Sequence, residues 1–258
     1  MNRYSGQSRD DRRERPIAPG RPVAVELVPA EVERRLLYRD ALMLVIDKPA
    51  GLPVHAGPGG GPNLEMALDA LRFGLPQAPA LAHRLDRDTS GCLVLGRHRR
   101  ALARLGRLFA SGRVEKTYWA LVEGAPPADE GHIDGPLRKR IEDKRRWHMM
   151  IHPEGQPAST DYRVLARGPR RAWVEFRPRT GRTHQIRVHA ASIGCPVLGD
   201  PVYGAGGATI LLGPTEPLML HARAISVPLY DNKPAISVEA PLPEIMRAAL
   251  LAEGFSPP

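Results

Sequence analysis

The chain has 258 residues, with 37 Lys and Arg against 28 Asp and Glu, for a formal net charge of +9. That length can bury one full-sized core, and the cationic excess suits a polyanionic partner such as nucleic acid. The two cysteines, Cys92 and Cys195, lie far apart without metal-ligand spacing, and no apolar run reaches the roughly 20 residues that span a bilayer, so a disulfide scaffold, a structural zinc site and a membrane helix are not expected.

Residues 1–22 carry six arginines and three acids with almost no large apolar side chain. Such a stretch cannot bury enough surface to offset ordering, so 1–31 is expected to be a disordered basic tail. The folded part is expected over 32–254. Met43–Asp47 reads as a strand stopped by Lys48-Pro49-Ala50-Gly51. Asn63 is positioned to cap a helix over 64–72, with Leu64, Leu68 and Leu71 on one face. The cluster Gly57–Gly61 lacks the Gly-Lys-Ser/Thr ending of a phosphate loop and is read as a plain loop.

A polar turn follows, His83-Arg84-Leu85-Asp86-Arg87-Asp88-Thr89-Ser90-Gly91, and then the apolar run Cys92–Gly96, read as a buried strand. Residues 99–111 have helical spacing, with Leu102, Leu105 and Leu108 inward and Arg100, Arg104 and Arg107 on another face. Strands are expected over 114–122, 158–166, 171–178, 218–227 and 235–239. Residues 138–146 read as a charged connection ending at Trp147. Thr183 is expected to cap a helix that stops at Gly194, and 243–252 to close the domain as a short helix. Strands outnumber helices and short turns join them, so the class is α+β with a central, mainly antiparallel mixed sheet flanked by helices and loops.

The chemistry concentrates around Asp86. A carboxylate on a turn held by a buried strand, flanked by Arg84 and Arg87, is placed to act as a nucleophile or a base. Arg187 falls mid-helix, where a core-facing charge requires a partner, and Asp86 is the natural one. Tyr118 offers a flat apolar face with a polar tip. His184 and His189 are five apart, not the four of a zinc-binding helix, so no metal role is assigned.

These segments resemble one family. His83-Arg84-Leu85-Asp86-x-x-Thr89-Ser90-Gly91 is similar to the signature of the RluA-type pseudouridine synthases. Lys48-Pro49-x-Gly51, Lys116-Thr117-Tyr118, Thr180-Gly181-Arg182-Thr183-His184-Gln185-Ile186-Arg187-Val188-His189, Gly199-Asp200-x-x-Tyr203-Gly204 and Leu220-His221-Ala222 resemble its other elements, in the family's order. The resemblance implies the pseudouridine synthase fold, a catalytic Asp86 paired with Arg187, and Tyr118 stacked on the target base. It also implies an Arg84 that helps displace the nucleotide. His83, Lys116, Arg182, His184 and Leu220 complete the expected substrate site, with His83 and His184 ranked first as hydrogen-bonded structural groups.

The implied reaction is an isomerisation of uridine in rRNA or tRNA that calls for no cofactor or metal, in a cytoplasmic monomer. A counterpart of the family's separate RNA-binding domain is not expected before the first strand, so RNA choice is expected to rest on the catalytic domain. Two rivals stand beside it. A glycosidase needs a second acid, for which Asp88 is the best candidate. A non-catalytic RNA-binding protein would have no use for Asp86, Tyr118 and Arg187 together.

Overall fold

In the computed structural model the apolar run at 43–48 becomes a strand buried along almost its whole length, and the reason is that the sheet it joins is covered on both faces. The structure describes residues 28–57, 60–141, 147–204 and 217–258. Most of the expected tail, 1–27, and part of the Gly57–Gly61 loop lie outside them. Helix α1, Pro29–Arg34, places Val32 in the core. Strands β1, Leu36–Arg39, and β2, Met43–Lys48, follow as an antiparallel pair. A 3₁₀ helix, Leu64–Leu71, stands where the α-helix after Asn63 is expected. The Asn63 side chain makes no cap bond there, and the tighter helix buries Leu64, Leu68 and Leu71 as the spacing requires.

The remaining elements are β3, Ala80–Leu81; β4, Ser90–Gly96; helix α2, Arg99–Ala110; β5, Glu115–Glu123; β6, Glu130–Asp134; and the hairpin β7, Leu137–Ile141, with β8, Trp147–Ile151. Then come β9, Ser159–Arg167; β10, Arg171–Pro178; helix α3, Gln185–Ser192; β11, Leu220–Val227; β12, Ile236–Glu239; and helix α4, Glu244–Ala252. Among the described residues one sheet runs β1-β2-β4-β11-β5-β10-β9-β6, with β12 beside β11 and β3 beside β4. Every pairing is antiparallel except β4 with β11, which touch in parallel at Ser90–His221 and Gly91–Ala222. The mainly antiparallel mixed sheet expected from the sequence is present.

Alternation along the strands sorts the core into layers. On β2 and β4, Leu44, Ile46, Leu93 and Leu95 face the 3₁₀ helix, while Met43, Val45, Cys92 and Val94 face α2 through Leu105 and Leu108. On β5 and β10, Ala120, Val122, Val174 and Phe176 face α3, while Leu121 and Trp173 face α4. The two halves of the sheet meet at the short β4–β11 contact. Tyr118 packs against the core of both halves. The seam between them is where the candidate site opens.

Two segments depart from the expectations. The charged stretch begun at Arg138 is not a plain connection: Leu137–Ile141 pairs with Trp147–Ile151, and residues 142–146 lie outside the described residues. Thr183 does not cap α3. His184 precedes the helix with φ +54°, in the left-handed region, and the segment is held instead by the Gln185 side chain.

Candidate active site

The turn at Asp86 is built before the carboxylate is placed. Lys48, fully buried at the end of β2, donates from Nζ to the carbonyls of Pro49 (2.7 Å), Leu52 (2.9 Å) and Arg87 (2.9 Å). Burial pulls its pKa down to about 7, yet three carbonyl acceptors match the three N–H donors of an ammonium group. His83 accepts at Nε2 from the Val94 N–H (3.0 Å) and stacks on Phe109. Burial lowers its pKa to about 3, so the ring is neutral. Ser90 Oγ meets His221 Nδ1 at 2.8 Å across the parallel contact. Asp86 is thus pinned on both sides by buried polar groups and by Leu85 in the core.

The facing wall comes from the β10–α3 connection. Lys116 Nζ donates to the Thr180 carbonyl (2.8 Å), and burial lowers its pKa to about 8. Gln185 ties the bend by accepting from Thr180 Oγ1 (2.7 Å) and the Arg182 N–H (2.9 Å) while donating to Ser159 O and Thr160 Oγ1. His189 is a structural group, as Thr160 Oγ1 and the Gly135 carbonyl each lie 2.9 Å from a ring nitrogen. The left-handed backbone at His184, uncommon for a residue with a Cβ, turns its ring toward Asp86.

Arg187 is buried and carries the site's electrostatics. Its Nε and Nη2 each lie 2.7 Å from an Asp200 carboxylate oxygen, a two-point pair that fixes the guanidinium plane. Nη1 is left 3.7 Å from Asp86 Oδ2. The expected Asp86–Arg187 pair therefore exists, but Asp200 is the tighter partner. Asp200 in turn accepts from the Val202 and Tyr203 N–H groups. Despite the opposing effect of burial, these bonds and the guanidinium hold its carboxyl below the usual range.

His184 Nε2 lies 4.0 Å from Asp86 Oδ2, and its Nδ1 lies 2.9 Å from the Tyr203 hydroxyl. That hydroxyl also accepts from the Met149 N–H, and in the tautomer where it donates to Nδ1 the ring proton sits on Nε2, facing Asp86. Burial, outweighing the attraction of Asp86, keeps the His184 pKa below its ordinary value.

A cavity of about 460 Å³ opens between the two walls. Asp86, Arg187, Tyr118, Arg84, His83, Lys116, Arg182, His184 and Leu220 all line it, so the sequence candidates converge on one place. Burial and the neighbouring Asp86 raise the Tyr118 phenol pKa, so the hydroxyl stays protonated. Arg84 is exposed and makes no ion pair among the described residues. Asp88 pairs with Arg87 (3.0 Å) rather than with Arg84, and Arg182 reaches outward to the Pro157 carbonyl. With Asp88 and Asp200 each held by an arginine, no free second acid stands beside Asp86 among the described residues. The same residues contain no cluster of three His, Cys, Asp or Glu that could hold a metal.

Residues 42–192 match the family described as RNA pseudouridylate synthase. The chain belongs to this family. It is an RNA pseudouridine synthase, an isomerase. It is 45% identical over 212 residues to an RNA pseudouridine synthase of Zymomonas mobilis, covering 82% of this chain and 94% of the relative. It is 37% identical over 227 residues to the ribosomal large subunit pseudouridine synthase C of Vibrio cholerae, covering 86% of this chain and 70% of the relative. The structure of human RNA pseudouridylate synthase domain containing 4 superposes with a TM-score of 0.74 at 28% identity, over 89% of this chain and 97% of that one.

Three groups of this synthase site escaped the sequence reading: Asp200, Lys48 and the Tyr203 hydroxyl. Each stands inside a quoted motif, so position alone could have flagged them. The contacts that matter to the site join Asp200 to Arg187 across 13 residues, Lys48 to the Arg87 carbonyl across 39 and Tyr203 to His184 across 19, and no local pattern encodes those three.

Proposed function

We propose that Asp86 is the catalytic residue and that the pocket binds a single uridine extruded from folded RNA, rRNA or tRNA. One observation carries this. Asp86 is 21% exposed on the wall of the cavity, faced by a fixed guanidinium at 3.7 Å and a histidine at 4.0 Å, with Tyr118 also lining the space. In the isomerisation the N1–C1′ bond breaks and a C5–C1′ bond forms. C5 loses its proton and N1 gains one. Asp86 starts the cleavage either by attacking the nucleotide or by taking a proton from the ribose, and both routes need the same ionised oxygens toward the substrate.

Tyr118 stacks on the base with its protonated hydroxyl available as a donor. Extruding the base costs roughly a few kcal/mol. The exposed Arg84 guanidinium, which has no ion pair among the described residues, is suited to fill the vacated stack. Arg187 is a positioning residue. Lys116 adds positive charge beside the cavity, and Leu220 supplies apolar floor.

The catalytic domain is assigned to 32–254. The state assigned to it is the monomer. No helix among the described residues is long and apolar enough to cross a membrane, and an RNA substrate supports a cytoplasmic site of action. The Vibrio relative's name supports a ribosomal target. The test is carbodiimide mapping of rRNA and tRNA from cells lacking the protein. Loss of pseudouridine at one or a few positions, restored by wild type but not by Asp86→Asn, is the expected result. A map unchanged by the deletion would contradict it.

A further inference from the structure

The β7–β8 hairpin carries an aromatic group that the pocket does not absorb. Trp147 opens β8 and is 42% exposed, opposite Ile141, which is 68% exposed. Directly opposed residues of an antiparallel pair share a face. Trp147 and Ile141 therefore share theirs with Leu137, Lys139 and Met149. At one end of the hairpin this face is core, with Leu137 and Met149 packed on Val188 of α3 and on Tyr203. At the other end it carries Trp147, whose indole stacks on the His184 ring with centroids 5.4 Å apart and planes inclined 21°. Lys139 Nζ stands over the indole ring, 4.5 Å from its centroid. Arg140 is exposed beside it, and Arg138 is held by Glu154.

Trp147 does not line the cavity, whereas His184 does. The indole therefore lies just outside the wall that faces Asp86, at the distance of one ring stack. An enzyme that draws one nucleotide into such a pocket leaves its neighbours at the rim, unpaired and with a free π-face. We propose that Trp147 is a substrate-positioning residue that stacks on an unpaired base adjoining the target uridine, with Lys139 placed for the phosphate of that nucleotide. Tryptophan beside a cation is what such a site requires: the indole holds any base by its face, and the ammonium holds the backbone. This rests on the reading of the cavity as the uridine pocket, and it assigns part of the choice of RNA to the hairpin.

The test uses the full chain with unmodified 23S rRNA and tRNA transcripts made with uridine tritiated at carbon 5, which pseudouridine formation releases. Trp147→Ala is expected to raise KM by roughly 5- to 100-fold, the range of one stacked base, with kcat kept within about threefold. Trp147→Phe, which keeps a ring, is expected to stay near wild type. RNA should quench wild-type tryptophan emission more than that of Trp147→Phe, in which only Trp119 and Trp173 emit. A fall in kcat at unchanged KM would make Trp147 a mere support for His184 and overturn the proposal, as would equal quenching in both proteins. Wild-type enzyme that releases no tritium would overturn the pocket reading itself, and the quenching comparison would still decide the stacking.

Discussion

Arg187 cannot be understood from Asp86 alone. Its guanidinium is locked by the two bonds to Asp200, and only its remaining nitrogen faces the Asp86 carboxylate. Replacing Asp200 by Asn removes the charge that balances a buried cation. Breaking such a pair costs roughly 3–5 kcal/mol, so Asp200→Asn should lower the urea midpoint strongly and also lower kcat, because the guanidinium loses its fixed plane. A variant with unchanged stability and rate would contradict the assigned role. Asp86 and Arg187 each sit in a long residue string that resembles the family's, and Tyr118 in a short one, Lys116-Thr117-Tyr118, that falls in the family's order. Asp200 was in view but its partner was not: an argument from burial says only that Arg187 needs an acid, and Asp86 was the acid already singled out. His83, ranked first as a structural group, accepts from the Val94 N–H and also lines the cavity, since a histidine before a buried strand finds a backbone partner readily.

Among the elements, the β4–β11 contact sets the geometry of the site. Gly91 has φ +106°, and a Cβ there would overlap the Ala222 carbonyl oxygen. Only glycine lets the two strands approach closely enough to bring Asp86 on one half of the sheet toward Tyr118 and Leu220 on the other. Gly91→Ala is expected to cost roughly 3 kcal/mol or more, as backbone strain and steric overlap combine. Thermal unfolding measures it, and a midpoint equal to wild type would show that the seam tolerates a side chain. Most strands were legible because their alternation or apolar runs are strong. The β7–β8 hairpin was not, because Arg138, Lys139, Arg140 and Ile141 are all exposed and mask the period of two. Thr183 looked like a cap by residue type. The bend is governed instead by Gln185, whose long-range bonds leave no local signal.

Over the whole molecule, several histidines are held neutral in the interior. Burial lowers the pKa of His83 to about 3 and of His221 to about 4. Unfolded, each would titrate near 6.5, so between that pH and about 4 the unfolded chain binds more protons and stability falls as pH falls. Each such histidine contributes up to about 1.4 kcal/mol per pH unit in that window. Asp200, whose folded pKa lies below its ordinary value, adds its loss only at still lower pH. Urea midpoints should therefore decline from pH 7 toward pH 5, and a flat profile over that range would contradict the neutral assignment. The α+β class was legible from strand count and turn spacing, and the positive charge pointed to RNA. The meeting of the two half-sheets at a pocket was not, because it depends on one parallel contact between strands far apart in the chain. The role proposed for Asp86 is tested most directly by tritium release from carbon 5 of uridine in a transcript of the RNA found by mapping, with purified wild type and Asp86→Asn at matched RNA binding. Release by wild type with none above background from Asp86→Asn is the predicted result. Equal release by both would remove Asp86 from the chemistry.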